Sequence, residues 1–395
     1  MKTNRLYYDN AYLTQFDAVV VSVREKDGAC EIALDQSAFY PTSGGQPYDT
    51  GTLGGLKVTD VTVEDNVVWH RVEGSLKEGD RVHGEIDWPR RFDHMQQHGG
   101  DHVLAGACYE LFGGETIGLH LGETESSIDM TLPGGRTHLT AEEITLLEDT
   151  VNARIQRDDP VRCWFPDEEE LCALPLRKKP TVTEHVRIVA FGDYEMVACG
   201  GTHPATAAQL GLVKVISCAP ARGKMRLTFV AGMRAFKYLQ ACAQTAQKIA
   251  REVSSDVYGA YDAYIRERDA GREARQTLMQ SLTDAAVDAV RMSAQTLPDG
   301  GKLFTRHLTF ADRAALLHAA AQLTKDGNAV ALLSCDDKNG RAVIFLRSAD
   351  RTEDMSQLLR GSGARGGGKP DMAQGSAPDG AAIEKAAQTL LEKTK

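Results

Sequence analysis

His94-Met95-Gln96-Gln97-His98-Gly99-Gly100-Asp101-His102 places histidines at four-residue intervals. Residues i and i+4 share one face of a helix, so a helix here presents His98 and His102 side by side. Further along, Cys199-Gly200-Gly201-Thr202-His203 repeats the spacing around two glycines. Paired glycines suit a tight backbone turn better than a regular helix. Imidazole nitrogen and thiolate sulfur are good Zn²⁺ ligands, and two chelating pairs supply a tetrahedral set. His98, His102, Cys199 and His203 are therefore the candidate metal ligands, for one zinc ion per chain. The two pairs are far apart in sequence, so the fold has to bring them together. The competing reading is two solvent-facing histidines and a cysteine buried as a small apolar residue. His94 is in phase with His98, but three helical turns would have to curve around one ion. It is kept as an outer-shell candidate.

Working outward from that stretch, residues 1–85 read as strands. Short β-rich runs at 18–23, 30–34 and 58–63 are separated by glycine or charged turns, and residues 51–56 look like a hairpin. A small β-barrel is expected. Trp88-Pro89 marks a boundary, residues 90–112 have helical spacing, and Gly113-Gly114 ends the helix. Thr140 and Glu143 form a capping box that starts a second helix, with Ile144, Leu147 and Val151 as its apolar stripe. Strands are expected at 186–191, 211–216 and 225–230, which puts the second ligand pair on a loop between strands.

Residues 234–292 read as a helix pair or short coiled coil interrupted at Gly271, serving as spacer or dimer seam. Beyond 300, strands at 329–334 and 341–346 and a closing helix at 381–392 form a further unit. Between them, Gly361, Gly363, Gly366, Gly367 and Gly368 suggest a flexible loop carrying Arg360, Arg365 and Lys369. That loop is either merely exposed or a backbone-rich cradle for RNA phosphate. The expected class is α+β. Its domains are residues 1–87 (small β-barrel), 88–232 (metal-binding α/β unit), 233–295 (helical spacer) and 296–395 (glycine-rich α/β unit).

The chain has 395 residues and a formal net charge of −10, which argues against non-specific polyanion binding. A local basic face remains open, with Arg90-Arg91 and Arg177-Lys178-Lys179 as candidates; the alternative is solvated surface charge. The eight cysteines show no framework spacing, and only Cys199 has a partner at ligand spacing. No run approaches the roughly 20 apolar residues of a bilayer span. Nor does Lys2-Thr3-Asn4-Arg5 lead into an apolar signal core. The cytoplasm is the expected location.

Four motifs in order now carry a resemblance. Ser37-Ala38-Phe39-Tyr40-Pro41-Thr42-Ser43-Gly44-Gly45-Gln46-Pro47-Tyr48-Asp49 resembles the Phe-Tyr-Pro…Gly-Gly-Gln…Asp signature of the editing half of alanyl-tRNA synthetases and of free-standing alanyl-tRNA editing (AlaX) proteins. The His98/His102 and Cys199/His203 pairs resemble that family's two zinc motifs. His120-Leu121-Gly122 with Ser127-Ile128-Asp129 resembles its middle segment, and Arg365-Gly366-Gly367-Gly368-Lys369-Pro370-Asp371 the glycine-rich signature of the C-terminal DHHA-type domain. There are three departures. Gly99-Gly100 replaces the usual Thr after the first zinc histidine, Ser37 stands for Thr before Phe-Tyr-Pro, and Val197 for Glu. Two glycines inside a helix cost up to about 1 kcal/mol each.

The resemblance implies trans-editing: hydrolysis of the ester that joins serine, or glycine, to tRNA(Ala). One small group is worth only about 1–3 kcal/mol of discrimination, so a pocket built for alanine admits serine and a second site must correct the error. Ser37 and Gln46 would meet the serine side chain, and Arg365, Gly366, Gly367, Gly368 and Lys369 would meet RNA. The motifs begin too near the N-terminus for an aminoacylation core, so no ATP-dependent activation is expected. His98, His102 and Cys199 are expected as firm ligands and His203 as the variable one. Alternatives are a non-catalytic tRNA-binding protein with structural zinc, and a zinc hydrolase of another ester. A homodimer through the helical and C-terminal regions is also expected.

Overall fold

The computed structural model describes residues 2–180, 185–338 and 340–392. It forms two compact units, Met1–Thr245 and Ala246–Lys395.

In the first unit, after a short strand (Asn4–Arg5, paired with Gln36–Ser37) and one helical turn (Leu6–Asp9), six strands form a sheet: β1 (Gln15–Lys26), β2 (Ala29–Leu34), β3 (Gly51–Leu53), β4 (Leu56–Glu64), β5 (Val67–Val72) and β6 (Arg81–Ile86). They pair in the order β1-β2-β5-β4-β3-β6, and β6 returns to β1, closing the ring. Alternation drives the closure. Val82, Gly84 and Ile86 point inward while Arg81, His83 and Glu85 face out. Val20, Ile32, Leu34, Phe39, Leu53, Val58 and Val68 fill the interior.

Helix α1 (Trp88–Phe112) follows directly. The Asp87 carboxylate accepts from the Arg90 N–H at its start, and Gly113 ends it at φ 67°. This helix is buried along most of its length, including Arg91, Gln97, His98 and His102. Gly99 and Gly100 make that possible. A Cβ on Gly99 would sit 2.4 Å from Leu210 Cδ2, and one on Gly100 2.9 Å from Ala231 Cβ. Their cost in helix propensity is offset by close approach of neighbouring segments, which sequence reading had counted only as a weakness.

Strands β7 (Glu115–Leu121) and β8 (Ser126–Thr131), helix α2 (Ala141–Gln156), then β9 (Val161–Trp164), β10 (Ile188–Phe191), β11 (Glu195–Ala198), β12 (Val213–Ala221) and β13 (Lys224–Ala231) complete the α/β part. The Thr140/Glu143 capping box is formed. A four-stranded sheet runs β12-β13-β8-β7, and a three-stranded antiparallel sheet β9-β10-β11. Leu104, Ala107, Leu147, Val151, Phe191, Leu227 and Phe229 share one core between α1, α2 and these sheets.

Helix α3 (Gly232–Glu252) leads out of this unit, and α4 (Ala260–Met292) follows. Gly271 lies inside α4 without breaking it, because its neighbours are strong helix formers and nothing packs within 4 Å of it. The second unit continues with β14 (Gln295–Thr296), β15 (Lys302–His307), α5 (Arg313–Thr324), β16 (Ala329–Asp337), β17 (Gly340–Arg347), α6 (Met355–Ser362), β18 (Arg365–Gly368), β19 (Met372–Ala377) and α7 (Ala381–Leu391). Its sheet runs β14-β15-β16-β17-β19-β18. The expected glycine loop is therefore a helix end plus an edge strand. Gly366 and Gly368 would place Cβ atoms 2.2 Å from the Gln374 and Met372 carbonyl oxygens, so only glycine lets β18 lie this close to β19.

The expected basic face also changes. Arg91 is fully buried, with Nε 2.9 Å from both carboxylate oxygens of Asp49, and it donates to the Ala11 and Ala38 carbonyls at 2.8 and 2.6 Å. Arg177 is committed to the buried Glu195 carboxylate. Both guanidiniums are structural pins because a buried carboxylate needs a paired donor.

Candidate metal centre

Helix α1 carries His98 and His102 one turn apart, and the loop after β11 carries Cys199 and His203. Their ligand atoms all lie within 4.8 Å of one another. Cys199 Sγ is 3.4 Å from His98 Nε2 and 3.6 Å from His203 Nε2, and His203 Nε2 is 3.1 Å from His102 Nε2. Zinc bonds of about 2.0–2.1 Å to nitrogen and 2.3 Å to sulfur give tetrahedral edges of roughly 3.3–3.6 Å. The 3.4 and 3.6 Å sulfur–nitrogen separations match such edges, and the 3.1 Å nitrogen–nitrogen separation is slightly shorter than one. The donor set therefore fits a metal ion that takes nitrogen and sulfur ligands, and it suits the hard, oxygen-seeking cations poorly.

The surroundings fix the ligands. Gln46 Oε1 lies 2.9 Å from His98 Nδ1, leaving Nε2 directed at the cluster. The Thr202 N–H donates to the same oxygen at 3.1 Å, and Gln46 Nε2 donates to Thr202 Oγ1 at 2.8 Å. Glu195 Oε1 faces His102 Nδ1 at 3.7 Å, an ionic contact rather than a hydrogen bond. Arg187 donates to the Cys199 and Gly201 carbonyls at 3.1 and 2.9 Å, pinning the loop. A Cβ on Gly201 would lie 2.2 Å from His98 Cε1, so the loop approaches the helix only through glycine. His203 Nδ1 is buried and has no hydrogen-bond partner among the described residues.

Charge is balanced inside the cluster. Burial raises the Cys199 thiol, but the imidazoles of His98, His203 and His102 outweigh it and hold the thiol well below its ordinary value. Burial pushes His203 down to about 3. It also works against charge on His102, yet the Cys199 thiolate and Glu195 raise that imidazole to about 10. The thiolate thus makes a place for one positive charge in the cluster, which a proton on His102 or a metal ion can fill.

Cys199 borders a cavity of about 990 Å³ that opens between the N-terminal segment, Lys178 to Pro180, His185, Arg187 and the Cys199 loop. Gln46 belongs to the shell behind His98, not to the cavity wall. Ser37 is fully buried, with Oγ 2.7 Å from His70 Nε2 and 3.1 Å from the Phe39 N–H, and it does not line the cavity. His94 is buried but stands outside the four-residue cluster. Arg365–Gly368 is an exposed edge strand of the second unit. Sequence reading missed Glu195, Arg187 and Thr202. Glu195 left one trace, a carboxylate that opens a short, otherwise apolar strand before Cys199; Arg187 left none.

Residues 3–90 match the family model for class II (A) tRNA synthetases, and residues 300–395 that of the DHHA1 domain. An alanine–tRNA ligase from Pyrobaculum neutrophilum is 31% identical over 95% of this chain, which spans 42% of that ligase. The chain thus spans less than half the length of the ligases it matches. The alanyl-tRNA editing protein Aarsd1 of Danio rerio is 26% identical, with 93% of this chain and 92% of that protein aligned. The alanyl-tRNA editing protein AlaX-L of Pyrococcus horikoshii is 28% identical, with 94% of each aligned. Similarity thus runs nearly end to end along free-standing alanyl-tRNA editing proteins, and the same stretch resembles part of the alanine–tRNA ligases.

Proposed function

We propose that this protein hydrolyses the ester linking a misattached amino acid, serine or glycine, to the terminal ribose of tRNA(Ala). It acts in trans, in the cytoplasm, with one zinc ion held by His98, His102, Cys199 and His203. The observation that carries this reading is the four-ligand cluster at the edge of a large cavity bordered by Lys178, Lys179 and Arg187. The relatives named for alanyl-tRNA editing support the substrate class.

Zinc held by these residues supplies Lewis acidity toward an ester carbonyl or a water. The chain's own groups do the positioning. Gln46 and Thr202 hold the His98 ring, Glu195 and Arg177 back His102, and Arg187 fixes the loop that presents Cys199. Ser37 is left out of the substrate-contacting set, because His70 already engages its hydroxyl. Arg365 to Lys369, on an exposed edge, are assigned to RNA in the second unit. We further read residues 1–87 as the barrel domain, 88–232 as the editing domain, 233–295 as the spacer and 296–395 as the DHHA-type domain.

One observation favours a second reading. Four side-chain donors complete a tetrahedron, and closed sites are usually structural. The chain would then be a non-catalytic tRNA-binding protein. Deacylation of Ser-tRNA(Ala) beside Ala-tRNA(Ala), with wild type and Cys199→Ala and zinc measured on both, separates the two. Serine-selective hydrolysis lost together with zinc supports editing. Bound zinc with neither substrate hydrolysed supports the structural reading.

A further inference from the structure

We infer that Phe165, braced by Tyr8, is a stacking platform that binds the terminal base of an RNA 3′ end in the cavity bordered by the Cys199 loop. This rests on the reading that the substrate is an aminoacyl-tRNA and assigns its last nucleotide a place.

Phe165 follows β9 directly and is 49% exposed at the cavity rim, so a flat apolar face meets solvent there. It is not a loose side chain. Tyr8 meets it edge to face, with centroids 5.6 Å apart at 76°. Tyr8 is itself held, 4.7 Å from Tyr7 and with the Arg187 guanidinium 5.2 Å from its ring centroid. Its hydroxyl stands 3.5 Å from where a Cβ on Gly200 would be. The platform, its brace and the Cys199 loop therefore form one connected set, and Arg187 joins the brace to the Cys199 carbonyl.

Charge selects the ligand. Among the described residues the cavity is lined by Lys2, Arg5, Lys178, Lys179 and Arg187 against one carboxylate, Asp9, in a chain whose net charge is −10. A braced aromatic face beside concentrated cations is the combination that binds single-stranded nucleic acid. The cations take phosphates and the ring takes a base, whatever its identity. An acidic peptide would use the cations but would leave Phe165 without a role.

The test measures binding of uncharged tRNA(Ala) transcript by fluorescence anisotropy, intact and lacking the terminal adenosine, to wild type, Phe165→Ala and Phe165→Trp. Deacylation kinetics are run on the same three proteins. Stacking of one base is worth about tenfold or more in affinity. Wild type should bind intact tRNA about tenfold tighter than the truncated form, Phe165→Ala should bind both alike, and Phe165→Trp should restore the difference. In turnover, KM should rise for Phe165→Ala by a similar factor, with kcat within twofold. Equal binding of both RNAs by wild type, or a terminal-base preference that survives in Phe165→Ala, overturns the inference. A wild type that distinguishes the two ends yet hydrolyses no aminoacyl-tRNA sinks the proposed function and leaves the platform standing.

Discussion

Gln46 and His98, 52 residues apart, meet at 2.9 Å between the amide oxygen and Nδ1, so a residue of the N-terminal part orients a candidate ligand on helix α1. Groups that orient a metal-binding imidazole typically contribute 10–100-fold in metal affinity. Gln46→Leu should therefore weaken zinc binding by about that factor. Competition against a chromophoric chelator reads it, and an unchanged affinity would remove Gln46 from the metal shell.

The four ligands should not be equivalent. His98 Nδ1 meets Gln46 and His102 Nδ1 faces the Glu195 carboxylate at 3.7 Å, whereas His203 Nδ1 has neither a hydrogen bond nor an ion pair among the described residues. His203→Ala should keep a weakly bound metal, while His98→Ala and Cys199→Ala should purify without it. Metal analysis after dialysis decides, and equal loss in all three variants would refute the ranking.

Asp49 and Arg91 are both fully buried and pin the strand-rich segment to helix α1. Removing one partner of a buried pair leaves an uncompensated charge and costs about 3–5 kcal/mol. Asp49→Ala should lose about that much stability in urea unfolding. The double variant with Arg91→Ala should lose less than the sum of the two single changes, because the two residues interact directly.

Gly99 reverses a helix rule. Glycine to alanine inside a helix usually stabilises by up to about 1 kcal/mol. Here the new methyl meets Leu210 at 2.4 Å and Phe191 at 3.2 Å in a closed core. Gly99→Ala should therefore destabilise, by about 1–3 kcal/mol as overpacked cores do. A gain in melting temperature would show that the core yields.

His70 gives a pH dependence. Burial holds its imidazole down at about 4, against about 6.5 when unfolded. Between those values the unfolded chain takes up the proton and the folded chain does not, so stability present above about 6.5 falls as pH drops toward 4. The contribution is on the order of 3 kcal/mol. His70→Gln should flatten this part of the stability profile, measured by urea unfolding from pH 7 to pH 4. The same slope in both proteins would place the titration elsewhere.

The sequence by itself determined the local chemistry. The four-residue spacings picked out the four residues that the structure brings into one cluster, Thr140 and Glu143 named a capping box, and Gly113 named the end of helix α1. Each depends on residues within one or two turns, which is the range over which spacing constrains geometry. The tertiary structure alone decided what the polar residues do. Arg91 and Arg177 read as surface charge and became buried partners of Asp49 and Glu195. Ser37 read as a substrate contact and is bonded to His70, while Gln46 turned out to hold a ligand. The glycines at 99, 100 and 366–368 read as weakness or loop, and most of them are points where another segment comes too close for a side chain. A charge or a glycine carries no sign of its partner in the chain, because burial and pairing are set by other segments, some on the next strand and some more than a hundred residues away.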